Sequence, residues 1–397
     1  MTSSGAQLLA DPPDFSLVHG GPLFQLLLRS HLSGDALDLV RRRVIVFVTI
    51  AWVPLLLLSA LAGKLMGNSA AVPFLFDLET HIRFWVVVPL LLAAELAVHR
   101  RLLRVVRTFL DRNLIPQAEM PRFDAAVASV FRLRNSVPAE VLLLACVYLI
   151  GVLVVWRRFT AIDVSTWYAT ASPAGPELTL PGWWYACVSL PIFQFLLLRW
   201  YFRLLIWIRF LWQVSRLDLS LIATHPDQVG GLGFLSETVF GFSVLLLAHG
   251  AMVAAQIANR IFFAGATLQQ FKGEIAMMVG VLMCMVFGPL LVFSPQLARA
   301  KRLGLNEYGT LAERYVREFD GKWLRSQQGE PLMGSADIQS LADMGNSFSV
   351  VRSMRIAPIT RDAVLQLAAA ALLPLVPLLL TVMPLEELTR QLLGLVL

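Results

Sequence analysis

Residues Val44 to Gly63 read VIVFVTIAWVPLLLLSALAG, twenty positions without a charged side chain. A helix of that length rises about 30 Å, the thickness of a bilayer's hydrocarbon core. The rest of the chain supplies more segments of the same kind. Of 397 residues, 57% are hydrophobic and only 15% charged, where an ordinary soluble domain carries about 25% charged residues. Most side chains must therefore face lipid or a dry helical interior. The expected fold is all-α, a polytopic transmembrane helical bundle.

Seven spans are predicted. After the first come Phe84 to Val98, Val141 to Trp156, and a long segment from Trp183-Trp184-Tyr185 past Arg199 to Val214. Phe240 to Phe263, Ile275 to Leu297 and Ala363 to Met383 follow. The last contains Pro374 and Pro377, and if it only dips into the membrane the count is six. The chain then divides into a cytoplasmic N-terminal segment 1–43 and a six-span bundle 44–297 with a cytoplasmic segment 100–139. A cytoplasmic helical segment 298–362 and the seventh span with its tail, 363–397, complete it. Pro22 to Leu32 reads as a short surface helix. The first 40 residues lack the features of a cleaved signal, so the first span is expected to direct insertion.

Orientation follows from the basic residues. With the N-terminus inside, 26 of the 33 Lys and Arg fall on the cytoplasmic side and 7 outside, which is the asymmetry that membranes impose. Arg41, Arg42 and Arg43 stand at the inner edge of the first span, and the pair Arg157-Arg158 is the exception on the outer side. The net charge of +6 is thus a topological signal, and nucleic acid is excluded as a partner.

Polar residues inside apolar spans are expensive and tend to be functional. His249 lies near the middle of the fifth span, and Gln256, Asn259 and Arg260 follow at helical spacing. These four form a candidate polar pathway. The alternative is a histidine bonded to a nearby carbonyl, with the other three simply approaching the outer interface. Glu95 and His99 are an i, i+4 pair at the inner end of the second span. They could bind a metal or relay a proton, or Glu95 could be neutralised by Arg100, Arg101 and Arg104. Glu95 opposite His249 across helices is the sharpest form of the pathway idea.

His225-Pro226-Asp227 precedes Gly230, Gly231 and Gly233. Such a loop before a helix can cradle an anion on backbone N–H groups. The alternative is a turn that returns the chain to the membrane. Arg100, Arg104 and Arg107, beside Leu103, Val106 and Leu110, make a cationic amphipathic stretch suited to anionic phospholipids. Gly280, Cys284 and Gly288 recur at every fourth position of the sixth span, as in close helix packing. Cys146, Cys187 and Cys284 all fall in spans, and neither a disulfide nor a metal site is expected from them. No zinc HExxH, nucleophile elbow or P-loop is present, so an enzyme is the less favoured class, and no cofactor is expected.

Two cytoplasmic helices are predicted. Asn306 to Arg325 places Tyr308, Leu311, Tyr315, Phe319 and Trp323 on one side, and Ser335 to Met354 does the same with Ile338, Leu341, Phe348 and Val351. Gly304, Gly321 and the stretch 329–331 are expected to punctuate them. The runs GSADIQSLADMGNSFSVVRSM (334–354), PLVPLLLTVMPLEELTRQLL (374–393) and THPDQVGGLGFL (224–235) resemble stretches of a group of uncharacterised bacterial multi-pass membrane proteins. That resemblance, chiefly over the C-terminal half, implies a bacterial inner membrane and no particular activity.

Three functions remain open from the sequence. The first is a transporter or channel for a small solute or ion, using the stripe from His249. The second is a scaffold or sensor whose aromatic helix face, Tyr315 and Phe319 included, docks a cytoplasmic protein. The third is an inner-leaflet enzyme acting on lipid, for which Glu95, His99, His225 and Asp227 would have to converge. The expected partners are the bilayer, its anionic phospholipids, such a cytoplasmic protein, and a second copy of the chain.

Overall fold

The computed structural model describes residues 15–17, 20, 40–66, 71–149, 166–170, 177–325 and 336–381. Six continuous helical rods are long and apolar enough to cross a membrane. They are α1 (Val40–Leu61), α2 (Leu78–Asp111), α5 (Leu180–Val214), α6 (Gly233–Ala264), α7 (Leu268–Leu324) and α9 (Arg361–Thr381). A shorter apolar helix, α4 (Val137–Leu149), begins the third predicted span, whose remainder lies outside the described residues. So do Pro22 to Leu32, Arg157-Arg158, the stretch 329–331 and Met383. Two polar helices, α3 (Met120–Arg134) and α8 (Ala336–Ser353), complete the helices. The strands among the described residues are a two-residue antiparallel pair, β1 (Ala169–Thr170) with β2 (Glu177–Leu178). Large apolar side chains point outward, among them Leu57, Leu142, Leu205 and Met277, a surface that water does not tolerate at this density. The chain is a multi-pass membrane protein.

Local chemistry explains the helix ends. Asp77 accepts from the backbone N–H of Thr80 at the start of α2, Ser136 from Ala139 at α4, Thr179 from Gly182 at α5, and Thr360 from Ala363 at α9. Each satisfies a donor that the first turn leaves free. Gly265, with φ of 66°, closes α6 in the left-handed conformation. Two spans are kinked by the same device. Arg83–Val87 in α2 and Tyr185–Ser189 in α5 are single wide turns of the π type, and Pro89 and Pro191 stand just beyond them. A proline cannot donate to the preceding turn, and the wide turn takes up the mismatch.

The rods define two ends. At the basal end, residues 102–137, 214–233, 294–325 and 336–361 meet. Ser220 N donates to Leu114 O, Gln296 Nε2 to Ser215 O, and Lys301 Nζ to Met354 O. At the distal end, Trp167 N donates to Val72 O and Lys64 Nζ to Thr166 O. An aromatic core fills the basal half. Phe15, Phe109, Phe123, Trp207, Phe210 and Phe234 are all buried there. Indole and hydroxyl donors tie rod to rod in the membrane region: Trp200 Nε1 donates to Leu91 O at 2.9 Å, and Ser189 Oγ to Ala51 O at 2.6 Å.

Three sequence expectations are corrected. The sixth span and the helix predicted from Asn306 are one rod. α7 runs without a break through Gly304, which is pressed against the chain rather than ending a helix: a Cβ there would lie 2.5 Å from Ala223 Cβ. At 57 residues the rod is about 85 Å long, so its basal half projects beyond any bilayer. The aromatic face predicted to dock a partner is in part spent internally. Tyr315 donates to Asp337 O, while Lys322 and Trp323 donate to the Asp337 carboxylate, closing a hairpin with α8. Finally, Gly280 and Gly288 do not mark a contact between rods among the described residues, none of which lies within 4 Å of a Cβ at either. The close approach is at Gly250 instead, where a Cβ would sit 2.1 Å from Ala371 O of α9.

Gly250→Leu should therefore separate α6 from α9 and lower stability by about 1–3 kcal/mol, while Gly280→Ala should be neutral or slightly stabilising. Thermal unfolding of the two variants in detergent measures the difference, and equal midpoints would contradict the packing.

Candidate functional site

Polar groups gather at three depths along α2, α5 and α6. In the middle, His249 faces an open cavity of about 570 Å³ lined by α5, α6 and α7. Tyr201, Gln256 and Glu274 contribute polar atoms, and Val253, Met278 and Leu282 belong to an otherwise apolar wall. Met277 and Val281 are exposed at its rim, so the cavity opens sideways on the lipid-facing side of α7. His249 Nδ1 lies 2.8 Å from Leu245 O, and a carbonyl only accepts. Nδ1 therefore carries the proton, and in the neutral ring Nε2 accepts from the Tyr201 hydroxyl at 2.9 Å. The bond to a nearby carbonyl that the sequence left as an alternative is present, and so is a cavity beside it.

Two to three turns toward the distal end, the stripe changes role. Gln256 Nε2 donates to Glu79 Oε1 at 3.5 Å, and Asn259 Nδ2 to Asp77 Oδ1 at 2.8 Å. Asp77 also accepts from Thr80 Oγ1 at 2.6 Å and from Trp167 Nε1 at 2.9 Å. Arg83 donates to Glu79 and to the Tyr185 hydroxyl. This network joins the two wide turns of α2 and α5. Asp77, Glu79, Arg83 and Tyr185 escaped the sequence reading. The available signal was the i, i+4 pair Glu79–Arg83 at the mouth of the second span. Arg260 leaves the stripe: it is exposed, 3.5 Å from Glu274 Oε1 and over the Phe271 ring.

The third layer lies toward the basal end and is built on Glu95, 2% exposed. Arg43 Nη1 donates to its Oε2 at 2.7 Å. Arg203 Nη2 is 2.7 Å and Arg199 Nη1 3.7 Å from its Oε1, and Arg199 Nε is 3.6 Å from Glu140. These partners replace the Arg100, Arg101 and Arg104 expected from sequence. Because Glu95 is taken by arginines and His249 by Tyr201, the two are not joined. A piece of the N-terminal segment lies over the basal side: Arg134 Nη1 donates to Ser16 O at 2.8 Å, and His99 Nδ1 is 2.9 Å from Ser16 Oγ.

His225 and Asp227 are elsewhere. The glycine-rich loop does cradle an anion, and the anion is its own Asp227. Oδ1 accepts from Val229 N and Gly231 N, and Oδ2 from Gly233 N, with Gly230 and Gly231 at φ of 67° and 98°. His225 Nδ1 is 2.9 Å from Asp227 Oδ1. Arg355 donates to Asp227 O at 3.1 Å, fastening the loop before α9 to this one. Among the described residues neither Glu95 nor His99 bonds to His225 or Asp227, so the four do not form the convergent site that a lipid-acting enzyme would need. Arg100, Arg104 and Arg107 are exposed on the basal stretch of α2.

No family model, curated protein or solved structure matches the chain. Function is therefore read from geometry alone, and two properties of the site are directly measurable. Glu95→Gln would leave three buried guanidiniums without their shared carboxylate, at a cost of about 3–5 kcal/mol. Thermal unfolding should show it as a large fall in midpoint, and a small change would mean that the cluster is solvated. For Asp227, burial opposes ionisation, and hydrogen bonds from Val229, Gly233 and Gly231 outweigh it, holding the acid below its ordinary value. The loop's contribution is thus full above about pH 4, the unfolded carboxyl's range, and is lost as pH falls through the lower folded value. Hydrogen exchange across 225–233 should accelerate in acid below that range, and Asp227→Asn should abolish the dependence.

Proposed function

We propose that this protein moves a small amphipathic solute across a bacterial inner membrane, with its N-terminus and basal end in the cytoplasm. The orientation rests on the 26 to 7 distribution of basic residues. The transport reading rests on one observation: a cavity of about 570 Å³ at mid-bundle reaches the imidazole of His249. That volume is typical of small-molecule sites, as is a mainly apolar wall with a few convergent polar groups. An ionisable side chain there is the usual mark of a solute or proton pathway.

The Tyr201–His249 pair supplies a way to couple solute and proton. In the neutral state the Tyr201 proton is committed to Nε2. When Nε2 takes up a proton it becomes the donor, and the Tyr201 hydroxyl proton is released toward the cavity. A solute with an acceptor group then binds best to the protonated pair, while its apolar body lies against the methionine and leucine wall. Gln256 connects this position to Glu79 and the distal network.

Purified protein in liposomes, loaded with a pH-sensitive dye, should show proton movement when a panel of small amphiphiles is presented. His249→Ala should reduce that movement at least ten-fold, and Tyr201→Phe should shift its pH dependence. Undiminished movement in His249→Ala would remove the cavity from the pathway.

A further inference from the structure

The basal end of α2 carries a second cavity, one the transport reading does not use. It measures about 230 Å³ and is bounded by Arg101, Arg104 and Arg112 on one side and by Phe234 and Glu237 of α6 on the other. Three arginines and one glutamate line it, and Arg112 Nη1 also lies 3.8 Å from Asp227 Oδ2 of the neighbouring loop. Two of the arginines are held in place by the protein. Arg101 stands over the Phe240 ring at 5.9 Å. Arg112 stands over Phe234 at 5.3 Å and donates to Gly231 O at 2.9 Å. Among the described residues nothing takes the Arg104 guanidinium. The walls come this close because Gly241 has no side chain: a Cβ there would lie 3.2 Å from Arg101 Cβ. The cavity sits where α2 and α6 leave their apolar stretches, and Leu102, Val105 and Val106 on the same stretch of α2 are buried.

We propose that this cavity binds the phosphate of an anionic ligand at the membrane surface. Planar guanidinium forks match phosphate oxygens two at a time. A headgroup could bring its phosphate here while its acyl chains stay against the apolar rods, and soluble phosphate offers the same chemistry without the chains. The site differs from a diffuse basic anchor. Of the three arginines that periodicity assigned to lipid, only Arg104 lines it, and Arg101 and Arg112 replace Arg100 and Arg107.

The test uses the full chain in phosphatidylcholine nanodiscs containing a minor fraction of phosphatidylglycerol, with retained lipid read by native mass spectrometry. The wild type should hold phosphatidylglycerol in preference to phosphatidylcholine. Arg101→Gln with Arg104→Gln should weaken that retention about thirty-fold, each charge near the surface being worth about five-fold. Arg100→Gln with Arg132→Gln removes the same charge outside the cavity and should change little. A wild-type thermal midpoint in both double variants confirms folding. Inorganic phosphate as competitor separates the sources: displacement of the lipid shows that the site reads phosphate itself, and no displacement shows that the acyl chains are needed. Equal loss in the two double variants, or retention of neither phosphatidylglycerol nor phosphate by the wild type, would overturn the proposal.

Discussion

A charge inside a bilayer must find its counter-charge within the protein, and here that requirement joins the helices. Glu95 on α2 collects Arg43 from the start of α1 and both Arg199 and Arg203 from α5. Three rods separated by long stretches of sequence are thereby fixed in rotation and in depth. Hydrophobic burial cannot do this among lipid-facing helices, since lipid tails are as apolar as leucine. Directional bonds such as Trp200 to Leu91 O and Ser189 to Ala51 O add to the same fastening.

With that frame set, the distal half is free to be irregular. The paired wide turns of α2 and α5 bring Arg83 beside Tyr185 and turn Glu79 toward Gln256. Irregular helical turns of this kind are frequent at functional sites, because they expose carbonyls and re-aim side chains. The mid-bundle cavity lies on the adjoining face of α5 and α6. Its open flank is α7, whose stretch Lys272–Phe287 buries Leu282, Val286 and Phe287.

Much of the fold was legible in the sequence. Uncharged runs located α1, α5 and α9 to within a few residues, and α6 at its C-terminal end, because a span's length is set by bilayer thickness and its ends by polar caps; α2 runs well past its predicted ends. The errors came where a local signal was ambiguous. Gly304 reads as a helix end and is a point of close contact. Gly280 and Gly288 read as close contacts and meet none of the described residues. Glycine has one sequence signature and several structural uses, and only a neighbour distinguishes them. The site was half legible for a similar reason. His249, Gln256 and Glu95 were conspicuous as polar residues in apolar runs. Asp77 and Glu79 were not, because polarity at the mouth of a span is ordinary.

By itself the sequence determined that this chain lives in a membrane and where its apolar helices lie. Those properties depend on the transfer of each segment from water to lipid, a sum over neighbouring residues. Only the tertiary structure decided that Glu95 belongs to Arg43 and Arg203, that the loop anion is Asp227, and that His249 opens on a cavity while Arg260 does not. Pairing of that kind depends on distances between side chains tens to hundreds of positions apart, and periodicity along one helix holds no information about which face another helix will meet.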